Sequence, residues 1–207
     1  MALVLVVMMF SLIPKGTFGG NRESLESTIL DIERAVRFSV NESILRNAVI
    51  RISFDLDSTP NSYTIEYGPS SGIVLPEIVD ESRLSLRDRE NQQAVLKKLS
   101  SKFNKVSEFS EKDKIVPEGV RISGIASSYF PSIKSDGEVS IYFYPTGERD
   151  NSIIFISTEE EMVTIDIPAF EDITTKEYYT FTVNESRSLE DTIENKMKET
   201  FDKWLRQ

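Results

Sequence analysis

The 207-residue chain contains no cysteine and no histidine. Without cysteine it can form neither a disulfide nor a thiolate metal site. Without histidine it lacks the usual general base, the commonest metal ligand and every nucleophile that depends on an imidazole. The sequence therefore predicts no catalytic residues, no metal and no cofactor, and we expect a protein that is not an enzyme.

Basic charge is also scarce, since 34 acidic side chains outweigh 24 basic ones and the formal net charge is −10. Binding of nucleic acid needs a concentrated basic surface for the phosphates, and the sequence has none. We therefore expect no nucleic-acid partner. The hydrophobic fraction of 39% and the charged fraction of 28% are those of an ordinary folded domain with one sizeable core.

The chain has one long run without charge, over residues 1–13, and Pro14 closes it. A helix needs roughly 20 apolar residues to span a bilayer, so this run is too short to do so alone. It also lacks the basic start and the small-residue cleavage site of a secretory signal. A buried core helix is one interpretation. We favour another, that the run is the C-terminal part of a longer membrane anchor.

An apolar stripe at helical spacing follows this run. Its spacing predicts an amphipathic helix with Glu33, Arg34 and Arg37 turned away from the core. The run and the stripe together predict one long helix from near Met1 to about Arg46, bent by proline and glycine around residues 14–20. The members of the stripe are Leu25, Ile29, Ile32, Val36, Val40 and Ile44.

From residue 49 onward apolar and polar residues alternate, which is typical of strands with one buried face. The stretches 50–56 and 63–67 are separated by a turn and predict a hairpin. The even spacing of three later strands predicts an antiparallel meander. The later strands are predicted near residues 120–125, 139–143, 153–156, 163–167 and 178–183, and the three in the meander are those at 139–143, 153–156 and 163–167.

Two further helical segments complete the predicted architecture. Residues 80–114 are rich in charge and helix formers, and they predict a partly helical insertion at the edge of the head. Ser188 with Asp191 three residues later predicts the start of a C-terminal amphipathic helix. We expect its apolar stripe to pack on the domain, and the members are Leu189, Ile193, Met197, Phe201, Trp204 and Leu205.

Several carboxylates are close neighbours in the sequence, at Asp55 with Asp57, at residues 159–161, and at Glu171 with Asp172. Paired carboxylates can perform acid–base chemistry on a sugar, and loop carboxylates can bind calcium. The spacing matches no EF-hand, however, and each group falls where a solvated turn is predicted. We therefore interpret these carboxylates as turn residues.

Three stretches, taken in order, resemble a known family. They are the apolar run with Pro14, residues 29–54 from the helix into the first strand, and residues 116–122 followed by residues 137–147. In residues 116–122 a proline and a glycine precede a predicted strand. In residues 137–147 a proline and a glycine end one. This arrangement resembles the minor pseudopilins of type II secretion, the general secretion pathway protein H family, and the related FimT-type minor pilins.

The resemblance implies an α+β, pilin-like fold in which a long N-terminal helix packs on an antiparallel β-sheet head. Residues 1–20 would then be the remnant of a membrane anchor or stalk. Residues 21–183 would form the globular head with its helical insertion, and residues 184–207 the C-terminal amphipathic helix.

The resemblance also implies a structural subunit of the pseudopilus tip, acting in protein export. Such a subunit is held in the bacterial inner membrane by a single pass, with its head in the periplasm. Its partners would be other minor pseudopilins or pilins, bound through their N-terminal helices. A minor pilin of a type IV pilus and a membrane-anchored periplasmic binding module remain open as alternatives. The stalk residues expected to carry assembly are Leu3, Val6, Val7, Phe10, Ile13 and Pro14.

Overall fold

The computed structural model describes residues 20–68, 85–107, 109, 113–128, 132–171, 173–181 and 188–206. Within these residues, the helices are α1 (Gly20–Arg46), α2 (Leu86–Ser100) and α3 (Leu189–Trp204). The strands are β1 (Ile50–Asp55), β2 (Ser62–Tyr67), β3 (Asn104–Lys105), β4 (Lys114–Ile115), β5 (Arg121–Ser127), β6 (Glu138–Phe143), β7 (Ser152–Ser157), β8 (Glu161–Ile167) and β9 (Thr175–Thr180). The predicted α+β class, with an N-terminal helix, antiparallel pairing and a C-terminal helix, is confirmed.

The end of α1 is set by a local cap. Asn47 follows the helix and adopts a left-handed φ of 48°. The amides of Asn47 and Ala48 donate to the carbonyls of Ile44 at 3.3 Å and Ser43 at 3.2 Å, which is the Schellman pattern. Asparagine tolerates this backbone conformation better than most residues. The predicted start of the helix near Met1 lies outside the described residues.

The helix α1 is buried on more than the predicted stripe. Leu25, Ile29, Ile32 and Val36 are fully buried as expected, but Thr28, Ala35, Ser39 and Ser43 are buried as well. The helix packs mainly on β1, with further contacts to β2 and β6. Ile44, the last member of the predicted stripe, is 51% exposed, so the stripe ends one turn earlier than predicted.

The strands form two antiparallel sheets, whereas we predicted a single sheet. Sheet A has the order β3-β2-β1-β6, with β4 also paired to β2, and sheet B has the order β5-β7-β8-β9. The predicted β1–β2 hairpin is present. The predicted meander is wrong in its first strand, because β6 pairs with β1 and the meander is β7-β8-β9. Alternation specifies which face of a strand is buried and leaves its neighbour undetermined.

One core cluster joins α1 to one face of each sheet, and it includes Ile52 of β1 and Ile154 of β7. The opposite face of sheet B packs on α3, where Phe155 meets Phe201 and Trp204. Strand β7 is consequently buried on both faces. The C-terminal stripe thus packs on the domain, except that Leu205 at its end is exposed.

The described part of residues 80–114 contributes a helix and two short strands. Strands β3 and β4 both pair with β2, so they extend sheet A. Among the described side chains of α2, Leu99 is buried and packs with Phe103 and Val49. Leu86 and Val95 are exposed. The helix is therefore attached to the sheet at its C-terminal end.

Candidate functional site

The six predicted stalk residues fall at positions 3–14, outside the described residues. Helix α1 begins at Gly20 and is the first described element after them. In the described ranges, no helix combines the length and the apolar character that crossing a membrane requires. Of the predicted stalk and the helix that adjoins it, the structure therefore describes the helix, α1.

One side of α1 remains accessible to solvent. Arg34 on this side is 3.1 Å from Asp31 in an exposed ion pair. Leu30 and Arg37 are exposed one turn to either side of it. The exposed positions recur every three or four residues, so they form a continuous strip along the helix; they are Glu23, Ser27, Leu30, Arg34, Arg37 and Asn41.

A second side of α1 is fastened to β9 by polar contacts. Glu33 Oε1 lies 3.1 Å from Lys176 Nζ and accepts a hydrogen bond from the Thr174 hydroxyl at 3.2 Å. Glu26 accepts one from the Tyr178 hydroxyl at 3.3 Å. The prediction that Glu33 faces away from the domain is therefore wrong, because the edge strand of sheet B lies beside it.

A polar groove of about 420 Å³ lies on the outer face of sheet A. Alternate residues of β1 point into the core, so the intervening residues Arg51, Ser53 and Asp55 face outward. Small polar side chains line the groove together with carboxylates from four parts of the chain. The lining includes Ser53, Thr64, Asp55, Asp57, Glu66, Asp113 and Glu138. The groove thus brings the predicted pair Asp55 and Asp57 close to carboxylates that are distant in sequence.

Arg51 lies beside this groove, where it contacts Glu66 of the lining. Its side chain is only 4% exposed, and its Nη2 lies 2.6 Å from Glu66 Oε2. Its Nη1 donates to the Ser100 hydroxyl at 3.1 Å, and its guanidinium lies 4.2 Å from the centre of the Phe103 ring. A buried cation is tolerated when such a set of partners surrounds it. Arg51 thereby joins β1 to the attached end of α2.

Asp55, the last residue of β1, and Asp57 both accept hydrogen bonds from backbone amides. Asp55 Oδ1 accepts hydrogen bonds from the amides of Asp57 at 3.1 Å and Ser58 at 3.2 Å. Asp57 Oδ1 accepts one from the Gly137 amide at 2.9 Å. Across the ranges that the structure describes, no group of three or more acidic residues is arranged to hold a metal ion. These contacts give both aspartates a role in shaping turns.

The other predicted carboxylates do not join the groove. Glu159 and Glu160 lie in the turn between β7 and β8, and Glu161 begins β8. Glu171 is exposed after β8, and Asp172 lies outside the described residues. These residues therefore belong to the turns of sheet B.

Asp150 is a buried carboxylate that sequence reasoning missed. It lies between β6 and β7 and is 4% exposed. One oxygen accepts from the Tyr142 amide at 3.0 Å and the other from the Tyr144 hydroxyl at 3.1 Å. Burial raises the pKa of Asp150 to about 6, although both hydrogen bonds oppose the shift. The residues next to Asp150 in the sequence give no signal of this burial.

A second cleft, of about 390 Å³, lies between β5 and α3. The hydroxyls of Ser123 and Ser157 are 2.5 Å apart, and both side chains are buried. Ile193 and Met197 of α3 supply an apolar wall. The pairing of β5 with β7 is irregular at Ser123, where a bulge redirects the strand. The cleft was not predicted from the sequence, because the alternation of apolar and polar residues in β5 gives no sign of the bulge beside it.

Comparisons with known proteins found no match. No protein-family model matches the chain, and no curated protein or solved structure is significantly similar to it.

Proposed function

We propose that this protein is a minor pseudopilin, a structural subunit at the tip of a type II secretion pseudopilus. The observation that carries the proposal is the direct sequence connection between the apolar run at residues 1–13 and a helix embedded in the head. Helix α1 begins at Gly20, and Leu25, Ile29 and Ile32 are fully buried in the core. On this proposal, a helix anchored in the core in this way links the apolar run to the head.

The composition of the run supports the same proposal. Leu3, Val6, Val7, Phe10 and Ile13 have apolar side chains, and the run offers water no polar face. Such residues need lipid or the apolar helices of partner subunits around them. On this proposal the run and Pro14 belong to a stalk in the bacterial inner membrane, the head faces the periplasm, and sibling minor subunits bind through their N-terminal helices.

Val7→Asp tests the stalk. A charged side chain at the centre of a membrane-embedded helix costs about 2.5–3.5 kcal/mol. We expect the variant to lose co-purification with sibling minor subunits in detergent, while thermal unfolding of its head stays unchanged. Val7→Leu is the matched control and should co-purify normally. Full co-purification of Val7→Asp would contradict the proposal.

The cleft between β5 and α3 favours a second candidate function, a membrane-anchored binding module for a small ligand. Its volume of about 390 Å³ lies in the range of ligand sites, and it combines the hydroxyls of Ser123 and Ser157 with an apolar wall. Titration calorimetry with free amino acids tests this candidate. Binding that Ser157→Ala abolishes would support it, whereas absence of binding, or binding that survives the substitution, would reject it.

A further inference from the structure

Basic side chains are concentrated in α2. Residues 86–100 of α2 contain four basic and two acidic side chains, although the whole chain carries a net charge of −10. Lys97 and Lys98 near the end of α2 are exposed. A basic helix on an acidic protein is a local surface to which acidic surfaces are attracted.

The same helix is incompletely packed. It rests on sheet A through Leu99 and through the hydrogen bond between Ser100 and Arg51. Val95 and Leu96, one turn earlier, are 52% and 38% exposed. Residues one turn apart share a face of a helix, so the apolar stripe that attaches α2 to sheet A continues along the helix beyond the part that rests on the sheet. By its described side chains, helix α2 is therefore held to sheet A only at its C-terminal end, and the rest of it stands clear of the sheet.

The open part of sheet A beside α2 has the opposite charge. Beyond Arg51, the outer face of β1 continues with Ser53 and Asp55. The flanking strands place Thr64 and Glu138 next to these two residues. The small side chains leave the groove of about 420 Å³. Its five carboxylates outnumber the one lysine of the lining, Lys105, which is paired with Asp113, so the groove is acidic. A basic helix and an acidic groove therefore lie side by side on one face of the protein.

We propose that two copies of this chain associate through this face, with α2 of each copy seated in the groove of the other. A two-fold axis brings the basic helix and the acidic groove together twice, so the face is self-complementary. Lys97 and Lys98 then approach Asp55 and Glu138 of the second copy, whereas Val95 and Leu96 lie on the opposite side of α2 and stay outside the contact. No stalk residue takes part, so this association is independent of the proposed assembly function.

The lack of cysteine permits a direct cross-linking test, because one substitution supplies the only thiol in a chain. Thr64→Cys places a thiol in the groove, and Lys98→Cys places one on α2. The two full-length variants, carrying different tags, are mixed in detergent and treated with a short bismaleimide. We expect a cross-linked pair of copies, at a yield about tenfold above that of Thr64→Cys mixed with Lys203→Cys. Lys203 is an exposed residue of α3.

Equal yields for the two mixtures would overturn the proposal. Charge reversal gives a second measurement, because Lys97→Glu introduced into the Lys98→Cys copy places a carboxylate against the acidic groove. We expect the cross-linked yield to fall severalfold, whereas Lys203→Glu in the same copy should leave it unchanged. A yield that Lys97→Glu does not alter would also overturn the proposal.

Discussion

At the scale of single residues, Asn61 links the two sheets. Its side-chain amide donates to the carbonyls of Leu56 at 2.9 Å and Ser58 at 3.1 Å, within the turn after β1. Its carbonyl oxygen accepts from the amide of Ile122 at 3.0 Å, which belongs to β5. Asn61 is buried, so water does not reach these backbone groups and could not replace the side chain as their hydrogen-bond partner. One side chain therefore satisfies donors and acceptors of both sheets.

Asn61→Ala should destabilise the head. The substitution removes three hydrogen bonds and leaves the buried amide of Ile122 without its partner, a loss of about 2–3 kcal/mol in the free energy of unfolding. Urea unfolding measures this loss. Asn41→Ala, at an exposed position of α1, is the control and should change stability by less than about 0.5 kcal/mol. A similar small effect for Asn61→Ala would show that the link between the sheets is not stabilising.

Asp150 should make stability depend on pH. Its pKa is about 6 in the folded protein, against an ordinary value of 3.8. Because the folded state holds the proton more tightly, the stabilising contribution of protonated Asp150 is complete below the ordinary pKa and is lost as the pH rises through 6. Asp150→Asn removes this titration and keeps an acceptor for the Tyr142 amide.

Urea unfolding of both proteins at several pH values provides the measurement. The free energy of unfolding of the natural protein should fall relative to that of Asp150→Asn by roughly 2 kcal/mol between pH 4 and pH 7. The comparison with the variant removes the contributions of other titrating groups. A difference between the two proteins that is constant across this range would contradict the assignment of a raised pKa.

At the scale of elements, local signals in the sequence predicted the helices and most of the strands. The cap of α3 is an example, since the amide of Asp191 donates to the Ser188 hydroxyl at 3.1 Å as the spacing of the two residues indicated. The buried stripe of α1 and the alternation of β1 are others. Each of these signals depends on residues within a few positions of one another, so the sequence displays them directly.

Contacts between distant residues could not be predicted in the same way. Strand β6 has the alternation expected of a meander strand, but its partner is β1. The groove has the same origin, because Asp55, Asp113 and Glu138 meet only after sheet A has formed. The burial of Asp150 likewise has no signal in the neighbouring sequence. Pairing and burial of this kind depend on tertiary packing.

Helix α3 should depend on a polar contact as well as on its apolar stripe. Trp204 Nε1 donates to Asp166 Oδ1 at 2.9 Å. Burial raises the pKa of Asp166, and this hydrogen bond opposes the rise. In Trp204→Phe the aromatic packing is largely kept and the donor is lost, so we expect a further rise in the pKa of Asp166 and a stability loss of about 1–3 kcal/mol.

Carboxyl NMR titration and urea unfolding test the role of Trp204. Leu205→Ala, which changes an exposed neighbour on the same helix, is the control and should alter neither quantity. If Trp204→Phe leaves the pKa of Asp166 where it was, the hydrogen bond makes no contribution to the environment of that carboxylate.

At the scale of the whole molecule, the core of the described residues joins α1 to both sheets. The core cluster begins at Leu25 and includes one face of each sheet. The opposite face of sheet B is covered by α3, and part of the outer face of sheet A by the end of α2. If the proposed function holds, we expect from this layering that the stability of the head does not depend on stalk-mediated assembly.

Deletion of residues 1–20 tests the central claim most directly. The measurement is a pull-down of sibling minor subunits in detergent, performed on the truncated head and the full chain, with thermal unfolding of both. We predict a soluble head that unfolds at the same temperature as the full chain and captures no sibling subunit. A truncated head that captures its siblings as tightly as the full chain would contradict the account, because recognition would then reside in the head.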